Sequence, residues 1–253
     1  MITETQKDSH TDSKTLVERL FSVGAHFGFT KSRRHPTATP YIFGSKQGTD
    51  IIDLEKTVAL LDVAKAVLQD AGKHGKTVLF VGTKEEITKI VESCAKGLEM
   101  PFVVNRWVGG MLTNFSEIKK RIQRFHELVS QGETGALERK YTKKERVIIG
   151  RELDKLTLNF SGIQKLDRAP HVMVIVDPRH DAIALKEAIQ LDIPVIGITS
   201  SDANLKFIQY PILVNDGLQA SVALILEELT GAYTLGKSEY TAPKKEEVRR
   251  RER

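Results

Sequence analysis

The sequence predicts an α/β fold: a parallel sheet covered by helices, with an antiparallel coiled-coil helical hairpin inserted into it. Three observations carry this. Segments such as "VLFV" and "VMVIV" are apolar without interruption, as strands buried on both faces must be. They alternate with amphipathic helical segments, the rhythm of a parallel sheet with right-handed crossovers. Between residues 114 and 164 the rhythm stops, and two helical patterns follow each other with no strand.

Residues 1–13 are polar and read as a flexible N-terminal tail. Leu16, Val17, Leu20 and Phe21 have helical spacing, which stops near Gly24. "KSRRHPTATPYIFGSKQGTDIIDLEKT" reads as a loop leading into short strands at Tyr41–Phe43 and Asp50–Asp53. The alternation then begins. "EKTVALLDVAKAVLQDAGKHG" is a helix, "KTVLFVGT" a strand, "KEEITKIVESCAKG" a helix and "PFVVN" a short strand. After residue 164 come strand "HVMVIVD", helix "DAIALKEAIQLD", strands "PVIGIT" and "PILVN", and helix "GLQASVALILEELTG". The α/β domain therefore takes 14–113 and 165–235, and the hairpin takes 114–164. Residues 236–253, ending in "APKKEEVRRRER", read as a charged flexible C-terminal tail.

Within the hairpin, Phe115, Ile118, Ile122, Phe125 and Val129 are spaced 3, 4, 3, 4. Ile149, Leu153, Leu156, Phe160 and Ile163 are spaced 4, 3, 4, 3. Both are heptad seams. Asn114 with Glu117, and Thr142 with Glu145, have the spacing of helix N-caps, and "SQGETG" supplies the break between the helices.

Composition bounds the class. The chain has 253 residues, 40% of them apolar, and a net charge of +5. Such an excess permits an anionic partner without demanding one, so the placement of the cations decides. The single cysteine, Cys94, forms no internal disulfide and reads as a thiol in a reducing compartment. No apolar run is long enough to span a bilayer, and the polar N-terminus lacks the features of a signal or transit peptide. The expectation is a cytoplasmic-type protein with no membrane partner.

Enzyme motifs are missing. "VLFVGTKEE" places Gly82, Thr83 and Lys84 at a strand-to-helix turn, but neither a phosphate loop nor a dinucleotide loop is spelled out. "VIVDPRHD" puts Asp177, Arg179, His180 and Asp181 at a strand end. There a ligand crevice and a plain turn, with Asp181 capping the next helix, are both open readings. His26 in "GAHFG" reads as packed in a turn. No nucleophile motif or Cys/His cluster occurs, so the sequence implies no catalytic residue, cofactor, metal or small-molecule substrate.

The basic residues are more informative. "TKSRRHPT" holds Lys31, Arg33, Arg34 and His35 in a loop without an acidic neighbour in sequence. The hairpin carries 11 basic and 7 acidic residues, an excess of four in 51 positions. Lysines and arginines on a projecting element suit a phosphate backbone, because each contact releases condensed counterions. The candidate RNA-binding residues are Lys31, Arg33, Arg34, Arg106, Lys119, Lys120, Arg121, Arg124, Lys143 and Lys144. No RRM, KH or zinc signature accompanies them, so contact is expected through phosphates and shape. The stretch "NRWVGGMLTNF" at 105–115 stands where the chain leaves the sheet for the hairpin. Trp107, Gly109, Gly110 and Asn114 read as a structural joint, with glycine freedom at the pair and a helix start at Asn114.

Several stretches together resemble one family, the bacterial and organellar small-subunit ribosomal protein S2. They are "GAHFG" (24–28), "YIFG" (41–44), "IIDLEKT" (51–57), "VLFVGTK" (78–84), "NRWVGGMLTN" (105–114), "YTKKE" (141–145), "RELDKL" (151–156), "GI" (162–163) and "IALKEAIQLDIPVIGI" (183–198). The resemblance covers about residues 14 to 231. It implies a flavodoxin-like domain with a protruding coiled-coil hairpin, and a structural role without catalysis. It implies contact with 16S-type ribosomal RNA and neighbouring ribosomal proteins at the head–body junction of the small subunit. It also implies help in docking the subunit's large mRNA-binding protein. The implied location is the cytoplasmic ribosome, or an organellar one if the chain is organelle-encoded. The chain departs from the family pattern at Phe29, where a second His is usual, and at Arg34, where an aromatic is usual. It also departs in "TSSDANLKF" and in "ILVND" (212–216).

Overall fold

A computed structural model describes residues 15–240; both terminal tails expected from the sequence, apart from 236–240, lie outside that range. The main sheet has five parallel strands. In chain order these are β4 (Val78–Val81), β5 (Phe102–Val103), β6 (Val172–Val176), β7 (Val195–Thr199) and β8 (Tyr210–Leu213), arranged β5-β4-β6-β7-β8. Renumbered within the sheet, that order is 2-1-3-4-5, the flavodoxin-like arrangement. β4, β6 and β7 are buried at every residue, which is why their sequences are apolar throughout.

Alternate residues of each strand feed two cores. Val78 and Phe80 join Val172, Val174 and Ile198 on one face, under a helix at 15–22 (α1), α2 (Leu54–Lys73), α3 (Thr88–Gly97) and α8 (Gln219–Ser238). Leu79 and Val81 join Met173 and Ile175 on the other face. That face is covered by α7 (Ala182–Gln190) and the hairpin root. The helix pair α2–α8 lies backbone to backbone. A Cβ on Gly236 would fall 2.1 Å from the Gln69 carbonyl oxygen, so only glycine allows that approach. α8 continues to Ser238, so the first residues of the predicted tail are helical instead.

The hairpin consists of α4 (Phe115–Glu133), a short α5 (Ala136–Lys140) and α6 (Lys143–Phe160). At 18–19 residues, α4 and α6 run about five turns each. Three details differ from the sequence reading. α4 runs through "SQG", and the break falls at Gly135, whose φ is +65°. The buried row of α4 is Ile118, Ile122, Phe125 and Leu128, with Val129 only half-buried. Leu128 sits about 100° around the helix from Val129, so the buried face is wider than one heptad seam and takes in both, Leu128 fully and Val129 at its edge. The two caps also differ. Thr142 and Glu145 form a reciprocal capping box, whereas Asn114 sits at the N-cap position without a capping bond.

A second, antiparallel sheet was not foreseen as such. β1 (Phe27–Thr30), β2 (Ile42–Lys46) and β3 (Thr49–Ile52) pair in the order β1-β3-β2. Gln47 and Gly48, both at positive φ, make the β2–β3 turn. β1 was hidden in the sequence because "FGFT" has a glycine inside and is half exposed. This N-terminal arm lies across the C-terminal ends of the main strands. Phe29 N–H donates to the Ser201 hydroxyl (3.0 Å), His35 N–H to the Ser201 carbonyl (2.9 Å) and Asn215 N–H to the Ala25 carbonyl (2.9 Å).

Candidate functional site

In a sheet of this order the ligand crevice lies beyond the carboxyl ends of the first and third strands, here β4 and β6. The residues singled out there from sequence do meet, but they bind one another. Asp181 receives the Thr83 backbone N–H (3.1 Å) and the Thr83 hydroxyl (2.7 Å). An internal carboxylate therefore occupies the turn where a phosphate would sit. The expectation that Asp181 caps α7 is corrected: it stands at the cap position, but its side chain crosses to Thr83. Lys84 Nζ lies 3.3 Å from Asp177 and 3.8 Å from Asp216. Burial would lower the Lys84 pKa, but the Asp216 and Asp177 charges outweigh it and raise it above the ordinary value. Asp177 holds a left-handed backbone, φ +57°, at the end of β6.

Asp216 is 1% exposed, and neither carboxylate oxygen has a hydrogen-bond partner. Burial first, and the neighbouring Asp177 charge second, push its pKa up to about 7, with Lys84 pulling the other way. The N-terminal arm closes the crevice from above. Arg33 and Arg179 both reach the enclosed Asp202, Arg33 at 3.3 Å. His26 packs between the rings of Phe21 and Phe27 at 4.3 and 4.1 Å.

The basic loop is less free than its sequence implied. Arg34 forks onto both oxygens of Asp50, which is fully buried, and also donates to Ser45 (2.8 Å). The guanidinium bonds hold the Asp50 carboxyl below its ordinary range. The acid-free loop of the sequence therefore has acids supplied by β3 and by the loop after β7. Arg34 points inward as a structural pair, Arg33 is shared between Asp202 and the Phe29 ring (4.3 Å), and Lys31 remains exposed.

The 105–114 stretch is built around a residue that sequence reasoning missed. Glu187 of α7 is 6% exposed, and its carboxylate accepts from five donors. They are Trp107 Nε1 (3.1 Å), the backbone N–H groups of Gly110 (2.7 Å), Leu112 (2.9 Å) and Thr113 (3.2 Å), and the Thr113 hydroxyl (3.3 Å). Burial raises its pKa, yet the donors more than offset that and the net shift is downward. The glycine-rich turn is thus an anion cradle already filled by the protein's own carboxylate. Its signal was available: in "ALKEAIQ" an acid stands beside Ala184, Leu185 and Ala188, on the buried face of α7. Trp107 is buried here and Gly110 takes φ +83°. Gly109 differs: its φ is not positive, and a Cβ there would meet nothing within 4 Å.

On the hairpin the cations divide. Lys120 pairs with Glu117 (2.7 Å), Arg124 with Glu152 (3.4 Å), and Lys119 lies over the Phe115 ring (5.4 Å). Glu145 is spent on its capping box. Among the described residues, Arg121, Lys143, Lys144, Arg151 and Lys155 are exposed and have no ion pair, and Arg106 at the joint shares that state. No helix among them is long and apolar enough to cross a membrane.

Comparison with known proteins agrees with this architecture. The family model described as ribosomal protein S2 matches residues 20–236. The chain is 40% identical over 222 residues to the small ribosomal subunit protein uS2 of Dictyoglomus thermophilum, covering 88% of this chain and 90% of that one. It is 36% identical over 222 residues to the protein of the same name from Coprothermobacter proteolyticus, covering 87% and 82%. With that of Fusobacterium nucleatum it shares 37% identity over 238 residues, covering 93% and 96%.

Proposed function

This chain belongs to the ribosomal protein S2 family, and from that premise we propose that it is a structural constituent of the small ribosomal subunit, binding 16S-type ribosomal RNA and neighbouring ribosomal proteins and performing no catalysis. The observation that carries the reading is the partition of charge. In the crevice, Lys84, Thr83, Asp177 and Asp181 satisfy one another beneath the N-terminal arm. On the hairpin, Arg121, Lys143 and Lys144 are left without ion pairs among the described residues and point to solvent. Unpaired, exposed cations on a projecting element are what a phosphate backbone contacts.

In this reading Arg121, Lys143, Lys144, Lys31 and Arg106 make the phosphate contacts. Arg34 and Arg124 hold the protein itself together, and Arg33, Lys119 and Lys120 serve partly in each role. The place at the head–body junction, and the docking of the large mRNA-binding protein beside it, follow from the family resemblance and belong to the same proposal.

Sedimentation tests it. The chain should co-migrate with small subunits in a sucrose gradient, and a high-salt wash should release it. The double variant Lys143→Gln/Lys144→Gln should bind about ten-fold more weakly and lower the salt slope by about two units. Free migration at low salt, with a nucleotide or sugar phosphate raising the melting temperature, would instead make the chain a ligand-binding α/β enzyme.

A further inference from the structure

A cleft of about 530 Å³ opens where the hairpin meets the α/β body, between the glycine pair and the facing sides of α4 and α6. Its floor is apolar: Ile118, Leu156 and Phe160 are buried beneath it. Its two acids are already neutralised, Glu117 by Lys120 and Glu152 by Arg124. Its two other charges, Arg121 and Lys155, stand on opposite helices and have no ion pair among the described residues. Two amides complete the lining. The Asn159 side chain makes no hydrogen bond among the described residues, and the Asn114 side chain uses only its oxygen, accepting from Ser116.

We infer that this cleft is a seat for one unpaired nucleotide of RNA, with its phosphate between Arg121 and Lys155 and its base or ribose over the apolar floor. The inference rests on the RNA-binding reading above and narrows it to one site. With Lys120 and Arg124 neutralising Glu117 and Glu152 from outside the lining, Arg121 and Lys155 leave a positive excess that selects an anion. The amides offer both donors and acceptors to a base edge, which a bare phosphate or a carboxylate side chain does not need. The volume lies in the range of ligand sites and suits a single nucleotide. Gly109 fits the same picture. Neither its backbone angles nor its neighbours require glycine, and a side chain there would stand in the mouth of the cleft.

That last point supplies a test without a change of charge. The full chain is titrated with a fluorescent ten-residue oligouridylate and with a transcript of small-subunit ribosomal RNA. Gly109→Phe should weaken oligouridylate binding about five-fold or more at an unchanged melting temperature. Arg121→Gln/Lys155→Gln should weaken it about ten-fold. Arg139→Gln/Lys140→Gln, which removes the same charge at the far end of the hairpin, should change it by less than about three-fold. Equal effects from the cleft and tip pairs, or full affinity in Gly109→Phe, would overturn the seat. If the parent chain still binds the transcript in that event, the general RNA reading stands. Absence of transcript binding by the parent at low salt would bring down both. An oligoglutamate of equal length that displaces oligouridylate at equal concentration would show an acidic peptide site instead.

Discussion

The crevice of the sheet and the root of the hairpin are both lined by charged residues next to glycine-bearing turns, yet they end in opposite states. In the crevice most charges have an internal answer: Asp181 on Thr83, Asp177 on Lys84, Asp202 on two arginines, while the buried Asp216 carboxyl has no hydrogen bond. At the hairpin root the acids are answered and two cations remain. The same α/β scaffold thus carries one site turned inward to hold the fold and one surface turned outward. What separates them is not residue type but which partners tertiary structure brings near. A binding function has to be argued from the charges left over after that pairing.

Five changes would break or sharpen this contrast. The largest effect is expected at Glu187. Glu187→Ala strands the buried Trp107 indole N–H and Leu112 N–H and the part-buried Gly110 and Thr113 N–H groups, and should cost about 3–5 kcal/mol in urea unfolding. Limited proteolysis should then cut near residues 105–113 first. A loss under about 1 kcal/mol would mean that the joint holds without its internal anion.

Next is Asp216. The folded chain keeps its proton up to about pH 7, whereas the unfolded chain releases it near the ordinary carboxylate value. The stabilisation linked to this proton is therefore present at acid pH and is lost as pH rises from about 4 to about 7. Asp216→Asn should flatten that segment of the stability–pH curve. It should gain about 2–3 kcal/mol at pH 8, after allowance for the partner that Lys84 loses. An unchanged curve would show that the charged form of Asp216 is already accommodated.

Arg34 separates a structural cation from a binding one. Arg34→Ala should cost about 2 kcal/mol through the fork on buried Asp50. Lys31→Ala should leave stability unchanged and weaken only subunit association. The smallest effect is the capping box: Thr142→Ala should cost about 1 kcal/mol and fray the start of α6. Circular dichroism at graded urea would register it.

The sequence made the parallel sheet and the inserted helices legible because both are written locally. "VLFV" and "VMVIV" announce burial on both faces, and Thr142 with Glu145 announces a helix start. What escaped was pairing across long separations. Arg34 finds Asp50 on β3, Thr83 finds Asp181, and the 105–113 turn finds Glu187 some 75 residues on. Only Glu187 carried a local signal, its place on the apolar face of α7; nothing in the pattern around Arg34 or Asp181 distinguishes a charge that will be claimed in this way. In the 105–114 stretch, Gly109 and Gly110 were given one shared reason. Only Gly110 has a backbone that requires glycine. Leu128 escaped for a related reason, since a heptad count follows one row of residues and the buried face of α4 is wider than that row.

The carboxylate in the 105–113 turn also bears on the order of events. Because Glu187 fills the cradle from within, the protein's own carboxylate sets the hairpin at its angle, and under the RNA-binding proposal that angle is in place before contact. The joint then needs no folding on contact. Association should behave as a rigid-body encounter, with a rate that follows salt through steering rather than waiting on a slow rearrangement. Glu187 acts, in that sense, as a stand-in phosphate that lets the protein finish folding alone.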